Sequence, residues 1–122
     1  MGKYEHLPVY RAGYDMFIKM SQIIGHFPRE HKFSIGERLQ DAGLDLVLLI
    51  YKANATYEKV PVLKELLEKS QLINLLSRMC MDLKIMSNAE YCSMIEMNSE
   101  VYKQAQGWLK SQEKIESARV AV

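Results

Sequence analysis

The stretch from Phe27 to Asn54, FPREHKFSIGERLQDAGLDLVLLIYKAN, restricts the fold more than any other part of the chain. Between Leu44 and Tyr51, Asp45 is the one charged residue in a run that is otherwise apolar. In helical register Arg38, Asp41, Asp45 and Lys52 recur at spacings of three, four and seven, so they share one face as a thin polar line. A helix apolar over most of its circumference must be covered from more than one side. It is therefore either central in its own domain or partly covered by a second subunit. Ser34 reads as its N-cap, with Glu37 three residues on to complete a capping box.

The flanking sequence supplies partners of the same kind. Pro8 suits a first helical turn, and Met16, Met20, Ile23 and Phe27 then step by four, three and four. Charged and polar residues line the opposite side, which predicts an amphipathic helix over 8–26, ended by Pro28. The second helix is expected over 35–55. Within it Gly43, more than Gly36, marks a close approach by a neighbour, and Asn54 is expected as the left-handed terminal residue. Pro61 opens a third helix over 61–84, in which Leu72, Leu75 and Met79 form a second apolar line beside Ile73, Leu76, Cys80 and Leu83. Ser87 and Glu90 form a capping box that opens a fourth helix over 88–111. Residues 1–7 are expected along the surface and 112–122 as a fraying tail. Long helices joined by short loops are antiparallel neighbours. The predicted fold is all-α, an up-down-up-down four-helix bundle forming one domain over 1–122.

Composition narrows the function. A chain of 122 residues buries roughly two thirds of its unfolded surface and needs no metal or disulfide staple. A formal net charge of +1 excludes a binder that is basic overall, so any contact with nucleic acid must come from a local patch. Cys80 and Cys92 lie among apolar neighbours and are expected as buried free thiols in a reduced, cytoplasmic setting. The first twenty residues, broken by Lys3, Glu5, Arg11, Asp15 and Lys19, read as no secretory leader, and no apolar run approaches the ~20 residues of a membrane span. His6, His26 and His31 are scattered and no Glu-x-x-His pair occurs. With no glycine-rich phosphate loop either, the chain is expected to have no catalytic, cofactor-binding or metal site and no cofactor. The methionines clustered from Met79 to Met97 read as core filling and an oligomer seam. The densest basic group is Arg29, Lys32 and Arg38, with His31 among them. Basic loops near a helix N-terminus hold phosphates. The other reading is a solvated loop, with Arg38 paired to Asp41 or Asp45.

Four motifs, LPVYRAGYD (7–15), FPREHKFSIGERL (27–39), LIYKAN (49–54) and GWLKS (107–111), resemble one family of small four-helix proteins. That family includes the accessory variability determinant of diversity-generating retroelements and proteins encoded in intervening sequences of bacterial 23S ribosomal RNA genes. The resemblance implies a homopentameric barrel that associates with a reverse transcriptase and with nucleic acid, has no chemistry of its own, and supports mutagenic copying of a template RNA. A five-fold ring would cover the excess apolar surface, each subunit offering one patch to a different patch of the next. On this reading the chain is a non-enzymatic adaptor for the reverse transcriptase and its RNA, with Arg29, Lys32 and Arg38 as the contact residues. The alternative is a structural oligomer encoded in a ribosomal RNA intervening sequence, with no strong nucleic-acid binding.

Overall fold

Leu39, Leu46 and Ile50 are fully buried on one face of the helix that the central stretch forms, and the other long helices are arranged around that face. The computed structural model describes residues 3–121. A 3₁₀ turn, Tyr4–His6, precedes α1 (Pro8–Ile24). A single turn, α2 (Arg29–His31), leads through a π-helical segment (Lys32–Gly36) into α3 (Glu37–Ala55). The helices α4 (Val60–Asp82) and α5 (Asn88–Val120) complete the chain, and no strand occurs among the described residues. Both α1 and α4 pack against α3 and α5, so the four long helices close a bundle in which sequence neighbours are neighbours in space.

Local chemistry explains most of the helix ends. Pro8 occupies the first turn of α1, and α1 stops at Ile24, two residues short of the expected end. The Ser87 capping box is formed: the Glu90 N–H donates to Ser87 Oγ at 3.1 Å, and the Ser87 N–H donates to Glu90 Oε1 at 2.9 Å. At Gly43 an added Cβ would lie 2.6 Å from Met20 Sδ and 3.2 Å from the Phe17 ring, so the glycine is where α1 and α3 approach closely.

Three expectations are corrected. Ser34 is not an N-cap. Pro28, with extended ψ of 144°, starts the turn earlier, and its carbonyl accepts from the N–H groups of His31 and Lys32. Ser34 therefore lies inside helical structure, and its hydroxyl donates to the Glu30 carbonyl at 2.8 Å. Asn54 is not left-handed; α3 continues to Ala55. The Lys59 ammonium instead donates to the carbonyls of Ala53 and Thr56 at 2.7 and 2.8 Å, satisfying the open end of α3 with a charge that suits a helix C-terminus. The positive φ occurs at Lys84, after α4. Residues 112–120 do not fray but extend α5 to Val120. That segment contains neither glycine nor proline, and Arg119 donates to Tyr57 Oη at 2.6 Å. Of the terminal residues assigned to the surface or the tail, Met1, Gly2 and Val122 lie outside the described residues.

One buried polar cluster fixes α4 against α5. Asn98, fully buried, donates through Nδ2 to the Ser70 carbonyl and to Asn74 Oδ1, and its own Oδ1 accepts from Ser70 Oγ at 2.8 Å. A register shift would break these bonds and strand their partners in an apolar core. Asn98→Ala is expected to destabilise the fold by about 2–4 kcal/mol, because it removes the bonds and leaves the Ser70 hydroxyl unpaired. A lowered urea midpoint at unchanged slope in equilibrium unfolding checks this.

Candidate functional site

Pro28 and the π-helical segment give the basic group its shape. Because the chain turns at once after Pro28, Arg29 to His31 form a helical turn, and the extra residue taken up by the π segment must be absorbed next to it. Phe33 absorbs it, with φ −95° and ψ 15°, outside helical values and in the sparsely populated bridge region. The backbone returns to helix at Gly36, where an added Cβ would lie 3.0 Å from the His31 carbonyl and 3.2 Å from both Ile24 and Phe27. This tight seat holds the segment against the end of α1. Phe33 itself points outward and is 63% exposed.

Two open clefts share Phe33 as a wall. The first, about 410 Å³, also has Lys32, Glu37, Gln40 and Asp41 in its lining. The second, about 560 Å³, is lined by Pro28, Arg29, Glu30 and Phe33. The Arg29 guanidinium lies over the Phe33 ring, its Cζ 5.6 Å from the centroid. The structure therefore places Arg29 and Lys32 on the two clefts that flank Phe33. Arg38 is exposed on α3 and lines neither. Arg38 forms an ion pair with neither Asp41 nor Asp45: Asp45 bridges instead to Lys69 of α4 at 3.5 Å. Phe33 was missed as a candidate from sequence. Its signal was an aromatic directly after Lys32 and five residues after Pro28, a pattern equally consistent with a core residue.

The same view settles which apolar residues face outward. Leu44, Leu48 and Tyr51 of α3 are exposed, as are Tyr14 and Ile18 of α1. Aromatic contacts run from Tyr51 to Tyr4 and from Tyr4 to Tyr10, which ties this face of α3 to the α1 side. On α4, Leu72, Leu75 and Met79 form a second exposed line, continued by Leu83 just past the helix end. The exposed polar line of Arg38, Asp41, Asp45 and Lys52 runs along α3, and Asp45 reaches α4 through Lys69. The two apolar faces are thus distinct, divided by charge. Val47, by contrast, is half-buried.

No group of three or more His, Cys, Asp or Glu among the described residues is placed to hold a metal ion. No helix among them is long and apolar enough to cross a membrane. The cysteines differ from expectation: Cys80 is buried, but Cys92 is exposed on α5. Cys92 sits two residues before buried Met94, about 200° away around the helix, so its apolar sequence neighbours do not cover it. Burial pushes the Cys80 thiol up to about 11.

A family model described as bAvd-like, bAvd standing for bacterial accessory variability determinant, matches residues 9–112. No curated protein matches the chain.

The thiol geometry gives a direct check. At pH 8 the native protein is expected to react rapidly with a thiol reagent at Cys92 alone. Cys80, buried and protonated far above that pH, should react only after denaturation. Mass spectrometry of alkylated native and unfolded protein reads both sites.

Proposed function

The chain belongs to the bAvd-like family, and we propose from that membership that it is a non-enzymatic accessory protein of a diversity-generating retroelement, an adaptor that binds the reverse transcriptase and its template RNA. The observation that carries the reading is the extent of the match, which takes in the whole bundle from α1 to the part of α5 that packs in it. The match is to accessory determinants, and no observation favours the alternative of a structural oligomer from a ribosomal RNA intervening sequence.

The mode of action follows from the surfaces. Exposed apolar faces of this extent on a small soluble bundle mark interaction sites. One face lies on α1 and α3 and the other on α4, so the patch a subunit offers differs from the patch it receives. Such a head-to-tail contact closes into a ring when the rotation per subunit divides the circle, and the family resemblance puts the number of subunits at five. In a ring, five copies of Arg29, Lys32 and Arg38 are repeated around one axis. A patch too weak to hold a phosphate backbone alone then acts multivalently, raising apparent affinity by factors of roughly a hundred or more. This reconciles a formal net charge of +1 with RNA binding: segregation of charge decides, not its total. The adaptor would carry no reaction itself; it would hold RNA and enzyme on one scaffold.

Light scattering is expected to give about five times the 14.1 kDa protomer mass. Leu48→Glu and Leu75→Glu, at side chains 55% and 58% exposed in the protomer, should each dissociate the assembly while leaving the helical circular dichroism intact. A charge introduced into a dry contact costs several kcal/mol. A wild-type monomer at micromolar concentration would refute the ring.

RNA affinity measured across a salt series should fall steeply for the wild type, and the Arg29→Ala/Lys32→Ala double variant should bind more weakly with a shallower slope, since fewer counterions are released. Identical curves would reduce the basic loop to a solvated turn. Co-purification with the reverse transcriptase encoded beside the gene tests the adaptor role itself. A failure of the two proteins to associate, with or without RNA, would sink it.

A further inference from the structure

We infer that Phe33 is a stacking platform for an unpaired nucleobase of single-stranded RNA, and that Glu37 and Asp41 on the same cleft make guanine the preferred base. The inference rests on the nucleic-acid part of the proposed function and names the group within it that takes a base.

A singly exposed aromatic residue is ordinary on a protein surface. Three observations set Phe33 apart. Its backbone leaves helical values, φ −95° and ψ 15°, at a kink between two helical segments. It walls two clefts, although it is 63% exposed. And the Arg29 guanidinium lies over its ring at 5.6 Å.

The last observation decides the class of ligand. A cation over one face of a benzene ring is attracted by the negative lobe of the quadrupole and draws π density toward itself. A second cation on the opposite face would meet a depleted lobe and a like charge beyond it. An electron-rich planar group meets the reverse situation, because stacking on a polarised, electron-poor face is favoured. The free side of Phe33 is therefore better suited to a nucleobase than to a lysine or arginine of a protein partner.

The cleft then selects among bases. Its volume of about 410 Å³ falls within the roughly 300–1,000 Å³ of clefts that take small planar ligands. Glu37 and Asp41 are four residues apart, hence on one face of α3, and as carboxylates they only accept hydrogen bonds. Guanine offers adjacent N1–H and N2–H₂ donors on its Watson–Crick edge, a pair that one carboxylate accepts together. Adenine and cytosine offer a single amino group and uracil a single ring N–H. The same carboxylates repel phosphate, so the strand enters base first, with its backbone turned to Lys32 on this cleft and to Arg29, beside Glu30, on the neighbouring one. A base inside a duplex cannot reach the platform, because its faces are already stacked.

Fluorescence anisotropy on the full, assembled protein tests this, with oligouridylates carrying one central guanine or one central adenine, and a duplex RNA as control. Phe33→Leu keeps the bulk and removes the π face; Phe33→Trp keeps both. The leucine variant is expected to weaken the guanine oligomer about tenfold. The slope of log affinity against log salt should stay unchanged, because no charge is lost. The tryptophan variant should retain affinity, and duplex binding should not differ among the proteins. Glu37→Gln/Asp41→Asn should erase the guanine-over-adenine ratio, whatever it does to overall affinity. If wild type binds RNA and Phe33→Leu binds it equally well, the stacking inference fails while the proposed function stands. Wild type that binds no RNA at any salt overturns the nucleic-acid part of that function, and this inference with it. A leucine variant that loses the reverse transcriptase but keeps RNA would make Phe33 a protein anchor and overturn the stacking inference.

Discussion

The close packing of α1 on α3 at Gly43 is the contact on which the rest of the molecule depends. Without a side chain there, Met20 and Phe17 sit against the α3 backbone, and Gly13 of α1 leaves the matching space for Leu46 and Ile50, both fully buried. Once that face of α3 is committed inward, the helix has no second face to hide. Its remaining apolar residues, Leu44, Leu48 and Tyr51, are left outside by geometry. The bundle therefore closes its own core and still leaves apolar side chains of α3 exposed. Its α4 helix repeats the arrangement, with Cys80 and Ile73 inward and Leu75 and Met79 outward.

The tight approach also positions the candidate site. With α1 held against α3, their connection must be short, and Pro28 starts the return immediately. The π-helical segment accommodates the mismatch between that early start and the register of α3, and Phe33 takes the distortion. Residues in such conformations persist where the surroundings over-determine them. Here the tight seat of Gly36 against His31, Ile24 and Phe27 does so. An exposed aromatic ring on a fixed backbone loses little freedom when something stacks on it, which is the property a binding platform needs.

Specificity of the fold comes from polar groups as much as from apolar ones. The Asn98 cluster sets the register of α4 on α5. Lys59 closes the end of α3, and the Asp45–Lys69 bridge joins α3 to α4. None of these would dominate stability, and exposed ion pairs contribute little. Their effect is to penalise alternatives: a slipped helix would bury Asn98 without partners.

The sequence by itself determined how many long helices form, roughly where each lies, the Ser87 cap, and the fact that α3 and α4 carry more apolar surface than one bundle uses. These are set by side-chain period and by bonds within four residues, and both are written along the chain. Only the tertiary structure decided the rest. Periodicity tells the angle between Leu46 and Leu48 around a helix, but not which of them meets a neighbour, because that depends on where α1 and α4 stand. The start of the central helix escaped for a related reason. Ser34 and Glu37 have the spacing of a capping box, yet Pro28 upstream and the packing of Gly36 had already made that segment helical. The continuation of α5 past residue 111 lacked a core pattern because no neighbour covers most of it, whereas helix needs only backbone bonds and the absence of a breaker. Arg29, Lys32 and Arg38 are close in sequence, but the fold puts Arg29 and Lys32 on separate clefts that share Phe33 and leaves Arg38 on neither. Direction in space is a property of the folded chain, and residue spacing carries only part of it.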